Sequence, residues 1–195
     1  NDPELKYKLS KEGKIDVKES YTLERMIRNT ENLYNELLSP KKLFKPMPRI
    51  SKRRKTRIGI NASKIFDVHT GVGRYTYNLC RYILKTGSKK DYYFYTPGRI
   101  GNTIMTDIEG TLLEKPGTPI QNNTLRILWE QMVLPIYSRK DRLDLFHYTD
   151  HALSLLSRKC PIIITVHDIA YIRFPDLLNK SRQIYKRSIL RESIK

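Results

Sequence analysis

A short glycine-containing motif is the first segment of this chain whose residue types could bind a ligand. The sequence Thr-Gly-Val-Gly-Arg-Tyr at 70–75 opens an apolar pattern that predicts a helix over 71–85. Backbone N–H groups at a helix N-terminus can face an anion, and the helix dipole favours negative charge there. We therefore expect Gly71 and Gly73 to approach a phosphate or pyrophosphate. A plain turn and helix cap is the alternative, because the motif lacks the third glycine of a dinucleotide fingerprint and the Gly-Lys-Ser/Thr of a Walker loop.

Two groups of polar side chains follow apolar segments that are predicted as strands at 143–146 and 161–166. A histidine at such a position can donate a hydrogen bond to a sugar hydroxyl or to charge that develops in an oxocarbenium-like transition state. A satisfied structural histidine is the alternative. The first group comprises His147, Tyr148, Asp150 and His151, and the second comprises His167 and Asp168.

The four-residue spacing of His147 and His151, with Asp150 between them, raises the question of a metal site. The segment leaves a strand and need not be helical, and no further cluster of ligands is evident in the sequence. We expect no metal here. Polar lining of an acceptor cleft and structural hydrogen bonding both stay open for these side chains.

The elements that must position these residues alternate between strands and helices. A strand at 57–61 precedes the helix at 71–85, and a strand at 92–95 follows it, whereas residues 99–123 look irregular. The remaining elements are a helix from 124 to 137 that ends near Pro135, a strand at 143–146, a continuous apolar strand at 161–166 that is typical of burial on both faces, and a helix at 181–195. This alternation predicts an α/β fold with a Rossmann-like, doubly wound parallel sheet. Ligands of such sheets bind beyond the carboxyl ends of the strands, where these polar residues lie.

Composition divides the chain into three regions: a helical segment at 1–38, a basic linker with prolines at 39–55, and the α/β domain at 56–195. In the first region Ser20 or Tyr21 is expected to open a second helix, and Pro40 to close it. Cys80 and Cys160 lie far apart without metal or redox spacing, so we expect free buried thiols in a reducing cytosol.

About half of the net charge of +17 lies between positions 39 and 57, a range that covers the linker and contains nine basic and no acidic residues. The linker could be a solvated tether, or it could contact anionic lipid headgroups or lipid-linked phosphates. Nucleic acid is the least favoured partner, because no RNA-binding aromatic signature, zinc finger or basic-zipper heptad accompanies the charge. We expect a cytoplasmic protein, with peripheral contact at the inner face of the membrane as an open alternative.

Several motifs, taken in order, resemble the N-terminal domain of group 4 retaining glycosyltransferases of the GT-B fold, especially bacterial mannosyltransferase-like members of polysaccharide assembly. They are Arg-Ile-Gly-Ile-Asn-Ala at 57–62, the glycine motif at 70–75, Leu-Trp-Glu-Gln-Met-Val-Leu-Pro at 128–135, Phe-His at 146–147, Thr-Val-His-Asp-Ile at 165–169, and the tail at 173–195. The first region, through 1–5, 9–13, 21–24 and 33–34, resembles the closing helices of the C-terminal domain of such an enzyme. This order suggests that the chain spans the end of one unit and the beginning of the next in a tandem, two-unit polymer-synthesising enzyme.

The resemblance implies a function and a set of roles. A nucleotide-diphospho-sugar, with mannose from a guanosine donor as the expected case, would lie with its phosphates near the glycine motif and its sugar near His167. Arg74 and the polar group at 147–151 would face a glycan or lipid-linked acceptor. Transfer would proceed with retention and without metal or other cofactor, in keeping with the absence of an Asp-x-Asp motif. The family's Glu-x7-Glu segment and nucleotide contacts belong to a C-terminal domain that is missing here, so the chain alone is expected to be inactive.

Two interpretations that assign the chain to other functional classes remain open. One is a non-catalytic half-domain that binds phosphate or a partner. The other is a basic nucleic-acid-binding module, for which affinity would fall steeply with salt.

Overall fold

The computed structural model describes residues 2–39, 54–85, 90–97, 113–116, 123–150, 154 and 160–168. The chain divides into two compact units, Asn1–Lys41 and Lys42–Lys195, which are considered separately. The predicted boundary between the helical segment and the rest of the chain thus lies close to the boundary between the units. Most of the predicted linker, residues 40–53, lies outside the described residues, as does the helix predicted at 181–195.

The first unit consists of two helices, α1 (Pro3–Ser20) and α2 (Leu23–Leu38). The Asp2 carboxylate caps α1 by accepting hydrogen bonds from the backbone N–H groups of the first turn. Thr22 caps α2, because its hydroxyl oxygen lies 3.2 Å from the Arg25 nitrogen. The expected start at Ser20 or Tyr21 is therefore wrong by one or two residues: Ser20 still belongs to α1, and only Thr22 combines extended backbone with a cap hydrogen bond.

The second unit is built on a five-stranded parallel sheet, which confirms the predicted α/β, Rossmann-like fold. Its strands are β1 (Thr56–Asn61), β2 (Lys90–Thr96), β3 (Leu113–Pro116), β4 (Leu145–Tyr148) and β5 (Ile162–Ile164). They are arranged in the order β3-β2-β1-β4-β5, and every adjacent pair is parallel. The chain runs outward from β1 to β3 on one side and then returns to β4 on the other. The order reverses between β1 and β4, and this is the point where doubly wound sheets bind ligands.

The helix α3 (Gly71–Lys85) has the predicted bounds. A second helical stretch consists of α4 (Asn123–Leu128), a π-helical turn at Trp129–Val133, and α5 (Leu134–Lys140). The prediction that this helix ends near Pro135 is wrong. Pro135 lies in the first turn after the wide π-helical turn, where its missing N–H is tolerated. The Gln131 carbonyl, which that N–H would bind in a regular α-helix, accepts a hydrogen bond of 3.0 Å from the Ser154 hydroxyl.

Three strand predictions also need correction. The strand predicted at 143–146 lies two residues later, because Leu143 belongs to the turn after α5 and donates its N–H to the Ser138 carbonyl. Residues 113–116, which look irregular in sequence, form β3 by pairing with β2. The strand predicted at 161–166 is shorter. Only Ile163 in it is buried, since β5 lies at the edge of the described sheet.

The core around β4 is largely aromatic. The buried side chains of this cluster are Tyr93, Tyr95, Trp129, Leu134, Leu143, Phe146 and Tyr148. Tyr95 stacks on Phe146 with ring centroids 5.5 Å apart and donates its hydroxyl hydrogen to the Asp141 carboxylate at 2.8 Å. Both cysteines are free, Cys80 buried and Cys160 half-buried, and burial raises the pKa of each thiol.

The start of the domain is fixed by a buried carboxylate. Asp144 accepts two hydrogen bonds from the Arg54 guanidinium, at 3.0 and 2.7 Å, and one from the Arg57 backbone N–H at 2.8 Å. Its side chain is only 8% exposed. Arg54 and Lys55, assigned to the linker from sequence, thus make contacts within the sheet domain, since Lys55 also pairs with Asp91.

We expect Asp144→Asn to lower the free energy of unfolding by about 2 kcal/mol, because it removes the charge that compensates a partly buried guanidinium. Urea denaturation measures the loss. Asp91→Asn is the matched control, since it breaks an ion pair whose lysine side chain is 69% exposed and should cost about 0.5 kcal/mol or less. Equal losses in the two variants would contradict the importance of the buried pair.

Candidate active site at the carboxyl edge of the sheet

The first turn of α3 lies against the segments that follow β1, β4 and β5. The Thr149 hydroxyl, just beyond β4, donates a hydrogen bond of 2.6 Å to the Asn61 carbonyl at the end of β1. Thr76 of α3 in turn donates to the Thr149 hydroxyl oxygen at 3.1 Å. All three residues are buried. These bonds fix the glycine motif to the sheet at the point where the strand order reverses.

His167 is held at this edge from two sides. Its Nε2 lies 2.7 Å from the Thr149 carbonyl oxygen, and its ring meets that of Tyr75 edge to face, with centroids 5.1 Å apart and an interplanar angle of 81°. A carbonyl oxygen only accepts hydrogen bonds, so Nε2 must carry the proton. In the neutral ring, Nδ1 is then the nitrogen with the lone pair.

A second chain of hydrogen bonds joins Tyr75 to the interior of the sheet. The Tyr75 hydroxyl lies 3.1 Å from the Thr165 hydroxyl oxygen, which lies 2.8 Å from His147 Nε2. Thr165, which lies just beyond β5, therefore links the helix α3 to the strand β4.

His147 and Tyr148 do not lie where the sequence placed them. Both belong to β4 rather than to the loop after it, with exposures of 1% and 0%. Burial, and next the charge of His167, lowers the pKa of His147 to about 3, so the ring is neutral near neutral pH. The expected cleft-lining role of these two residues is corrected to a structural one, because the strand extends two residues further than predicted.

The buried His147 predicts a measurable pH dependence. Below its ordinary pKa of 6.5 the unfolded chain binds a proton at this residue, whereas the folded chain does not until about pH 3. Stability should therefore fall as pH is lowered through this window, with a contribution from this residue approaching about 1.4 kcal/mol per pH unit. Urea denaturation between pH 7 and pH 4 should show a shallower slope in His147→Gln. In His69→Gln, which alters an exposed histidine, the slope should stay as in the parent, and identical slopes in both variants would contradict the prediction.

The two glycines of the motif have different environments. A Cβ at Gly73 would lie 1.9 Å from the Asp67 carbonyl oxygen, and the Gly73 N–H already donates to the Thr70 hydroxyl oxygen at 3.1 Å. A Cβ at Gly71 would meet nothing within 4 Å. In this structure Gly73 therefore packs α3 closely on the preceding loop, and the phosphate contact expected of it stays a prediction. The expectation for Gly71 stays a prediction.

The other predicted site residues are dispersed. Arg74 is exposed on the first turn of α3 and forms no ion pair with a described residue. Asp150 is half-buried just beyond β4, and Asp168 is exposed beside His167. His151 lies outside the described residues.

The sequence analysis missed a buried carboxylate, that of Glu130 in the π-helical turn. Its Oε1 accepts hydrogen bonds from the Ser63 hydroxyl at 2.6 Å and from the Arg126 guanidinium at 2.8 Å, and the Asn61 amide nitrogen lies 3.5 Å away. Glu130 thus ties the helical stretch to the loop that leads into the glycine motif. A signal existed: an acidic residue inside an apolar helical segment, with an arginine four residues before it.

Two other features are absent from the described residues. No group of three or more histidine, cysteine, aspartate or glutamate side chains in this part of the chain could hold a metal ion. Within the same residues, no helix has the length and apolar character needed to cross a membrane.

Comparison with known families supplies the decisive observation. The model of Glycosyltransferase Family 4 matches residues 69–195, about two thirds of the chain. This chain belongs to glycosyltransferase family 4. Neither curated proteins nor solved structures provide a match to it.

Membership of glycosyltransferase family 4 assigns the domain to sugar transfer in general, with a sugar donor and an acceptor as its ligands. The matched residues begin two positions before Gly71 and so contain α3 and the polar segments after β4 and β5. The family 4 domain in the structure is larger than the match, because β1 pairs with both β2 and β4 at the centre of the sheet.

Proposed function

We propose that this chain provides the acceptor-side half of a retaining hexosyltransferase that uses a nucleotide-diphospho-sugar, with mannose from a guanosine donor as the favoured case, in polysaccharide biosynthesis. The observation that carries the proposal is the position of His167. It is fixed between Tyr75 and the Thr149 carbonyl at the carboxyl edge of a family 4 domain, next to the first turn of α3.

In the proposed mechanism, the donor phosphates approach the start of α3. Within the described structure, the N–H groups of Gly71 and Val72 donate to no residue, and Gly71 faces open space. These groups and the helix dipole favour a diphosphate leaving group. The sugar would lie beside His167, with the acceptor approaching from the side of Arg74 and Asp168. The departing phosphate helps to remove the acceptor's proton, which requires the acceptor to attack from the face that the phosphate leaves. The new bond therefore keeps the configuration of the donor.

The proposal requires a second Rossmann-like half to bind the nucleotide, so this chain by itself is expected to be inactive. The acceptor is proposed to be a glycan or a lipid-linked sugar. Contact of the basic linker with an anionic membrane stays a prediction, because residues 40–53 lie outside the described residues. No specific observation favours the regulatory half-domain or the nucleic-acid-binding module over the transferase.

The test is a transfer assay on the enzyme that contains both halves, with guanosine- and uridine-diphospho-sugars as donors. Release of nucleoside diphosphate measures turnover, and NMR of the product gives the anomeric configuration. We expect transfer with retention, and none from the 195-residue chain alone. An inverted product would contradict the proposed mechanism, and transfer by the chain alone would contradict its role as a half-site.

A further inference from the structure

We propose that an exposed apolar face of the helical stretch 123–140 docks the domain on an anionic lipid membrane. The apolar face consists of Leu125, Leu128, Met132 and Ile136. This inference goes beyond the proposed function, since it concerns a binding surface and requires none of the roles proposed for the glycine motif or His167. The surface is also distinct from the basic linker, for which the sequence leaves lipid contact open.

The apolar face runs along α4, the π-helical turn and α5. Its four side chains follow one another at three- and four-residue spacing, which places them on one side of the stretch, and each is between 53% and 61% exposed. The other side of the stretch is buried in the domain through Trp129, Glu130, Leu134 and Pro135. Polar side chains normally cover the outer side of a surface helix, so a row of large apolar side chains there indicates a binding surface.

The exposed charges beside the apolar face are all positive. The exposed charged side chains of residues 124–144 lie at the end of α5 and in the turn after it, and they are Arg139, Lys140 and Arg142. The acidic side chains of the same range are buried or half-buried, and each accepts a hydrogen bond within the domain: Glu130, Asp141 and Asp144. Apolar side chains beside exposed lysine and arginine are typical of helices that lie in the plane of an anionic membrane surface.

Charge and residue type favour a membrane over the other partners that could cover this face. A second copy of the chain would bring like charges together, because the net charge is +17. Protein partners bind chiefly through buried aromatic and arginine anchors, in which leucine is under-represented. The apolar face has only leucine, methionine and isoleucine, so it lacks such anchors.

The position of the apolar face agrees with a membrane as its occupant. Glu130 lies between Leu128 and Met132 in sequence, and its carboxylate bonds the Ser63 hydroxyl just beyond β1. This part of the face therefore lies at the carboxyl edge of the sheet, which is also the edge of the candidate site. A membrane docked here would present a lipid-linked acceptor at that edge.

The test uses the 195-residue chain and vesicles of equal parts phosphatidylcholine and phosphatidylglycerol. Trp129 is the chain's single tryptophan and lies directly after Leu128, on the buried side of the stretch. Phosphatidylcholine brominated on its acyl chains quenches indole only at short range, comparable with the helix diameter of about 10 Å. We expect quenching of Trp129 that persists at high salt, where charge contacts are screened. Vesicle binding that leaves Trp129 unquenched, as contact through the basic linker alone would, overturns the proposal.

A pair of matched double variants assigns the binding to this face. Leu125→Ser with Leu128→Ser should remove the quenching and lower vesicle affinity at high salt at least about 10-fold, because two apolar side chains no longer leave water. The control is Leu5→Ser with Leu9→Ser in α1, which removes two leucines of nearly equal exposure and should change neither quantity. Equal losses in the two double variants would count against the apolar face. If circular dichroism shows that the first variant is unfolded, Met132→Ser with Ile136→Ser replaces it, with the same expected result.

Other occupants of the apolar face give different results. If it joins two copies of the chain, sedimentation will show a dimer that Leu125→Ser with Leu128→Ser converts to a monomer. If it binds the second half of the enzyme, brominated lipid will quench Trp129 in the 195-residue chain but not in the enzyme with both halves. Either result overturns the proposal. Vesicle binding requires no sugar transfer, so failure of the transfer assay would contradict the proposed function and leave this inference standing.

Discussion

Replacement of His167 by alanine should lower kcat/KM for sugar transfer at least about 100-fold, because it removes a polar group that is proposed to lie beside the donor sugar, where charge develops. The fold should survive. The imidazole is half-buried, and the backbone carbonyl that accepts its Nε2 proton can be satisfied by water after truncation. The measurement is the initial rate of nucleoside diphosphate release by the enzyme with both halves, together with the thermal midpoint of each variant.

The matched control for this prediction is His69→Ala. His69 lies on the loop that precedes α3, is exposed, and makes no hydrogen bond to a described residue. Its replacement should leave both the rate and the thermal midpoint at the values of the parent enzyme. Near-normal turnover in His167→Ala would remove the histidine from the site. A comparable loss in His69→Ala would indicate that the loop, rather than the imidazole, controls the rate.

Replacement of Gly73 by alanine should destabilise the domain by at least about 3 kcal/mol, since the added Cβ would lie 1.9 Å from the Asp67 carbonyl oxygen and 2.9 Å from that of Lys64. These are backbone atoms, so no side-chain rotation relieves the overlap. Helix propensity alone predicts the opposite sign, because alanine favours a helix by about 1 kcal/mol over glycine. Urea denaturation therefore separates the two effects by direction as well as by size.

Gly71→Ala tests the same motif where space is open. A Cβ there meets no atom within 4 Å, so the free energy of unfolding should stay the same or rise slightly. In the transferase, Gly71→Val should lower the rate by orders of magnitude with the fold intact, if the donor phosphates approach this residue as proposed. Full activity in Gly71→Val would remove the phosphate site from the start of α3. Equal destabilisation by Gly71→Ala and Gly73→Ala would contradict the packing account.

Two failed sequence predictions, those for β4 and for Pro135, share one cause. The apolar run that begins at Leu143 predicts a strand there, but Leu143 packs in a turn, and Tyr148, whose side chain has a polar tip, lies in β4. Pro135 predicts a helix end, although a preceding wide turn and the Ser154 hydroxyl accommodate it. In each case a contact from a distant segment outweighed the local signal, and a pattern within one segment contains no information about such contacts.

The amino-acid sequence by itself determined the class of fold, the bounds of α3 and the family, because each depends on local periodicity or on motifs in order along the chain. It also identified Gly71 and His167 as candidate site residues, because this identification depends only on residue type and on position relative to a predicted helix or strand. Only the tertiary structure decided what the residues do: which glycine packs and which faces open space, that His147 is buried and neutral, and that Glu130 fixes the loop before the glycine motif. The physical reason is that burial, close approach and hydrogen-bond partners arise between segments up to 90 residues apart, as between Tyr75 and Thr165, and exist only once the sheet has brought them together.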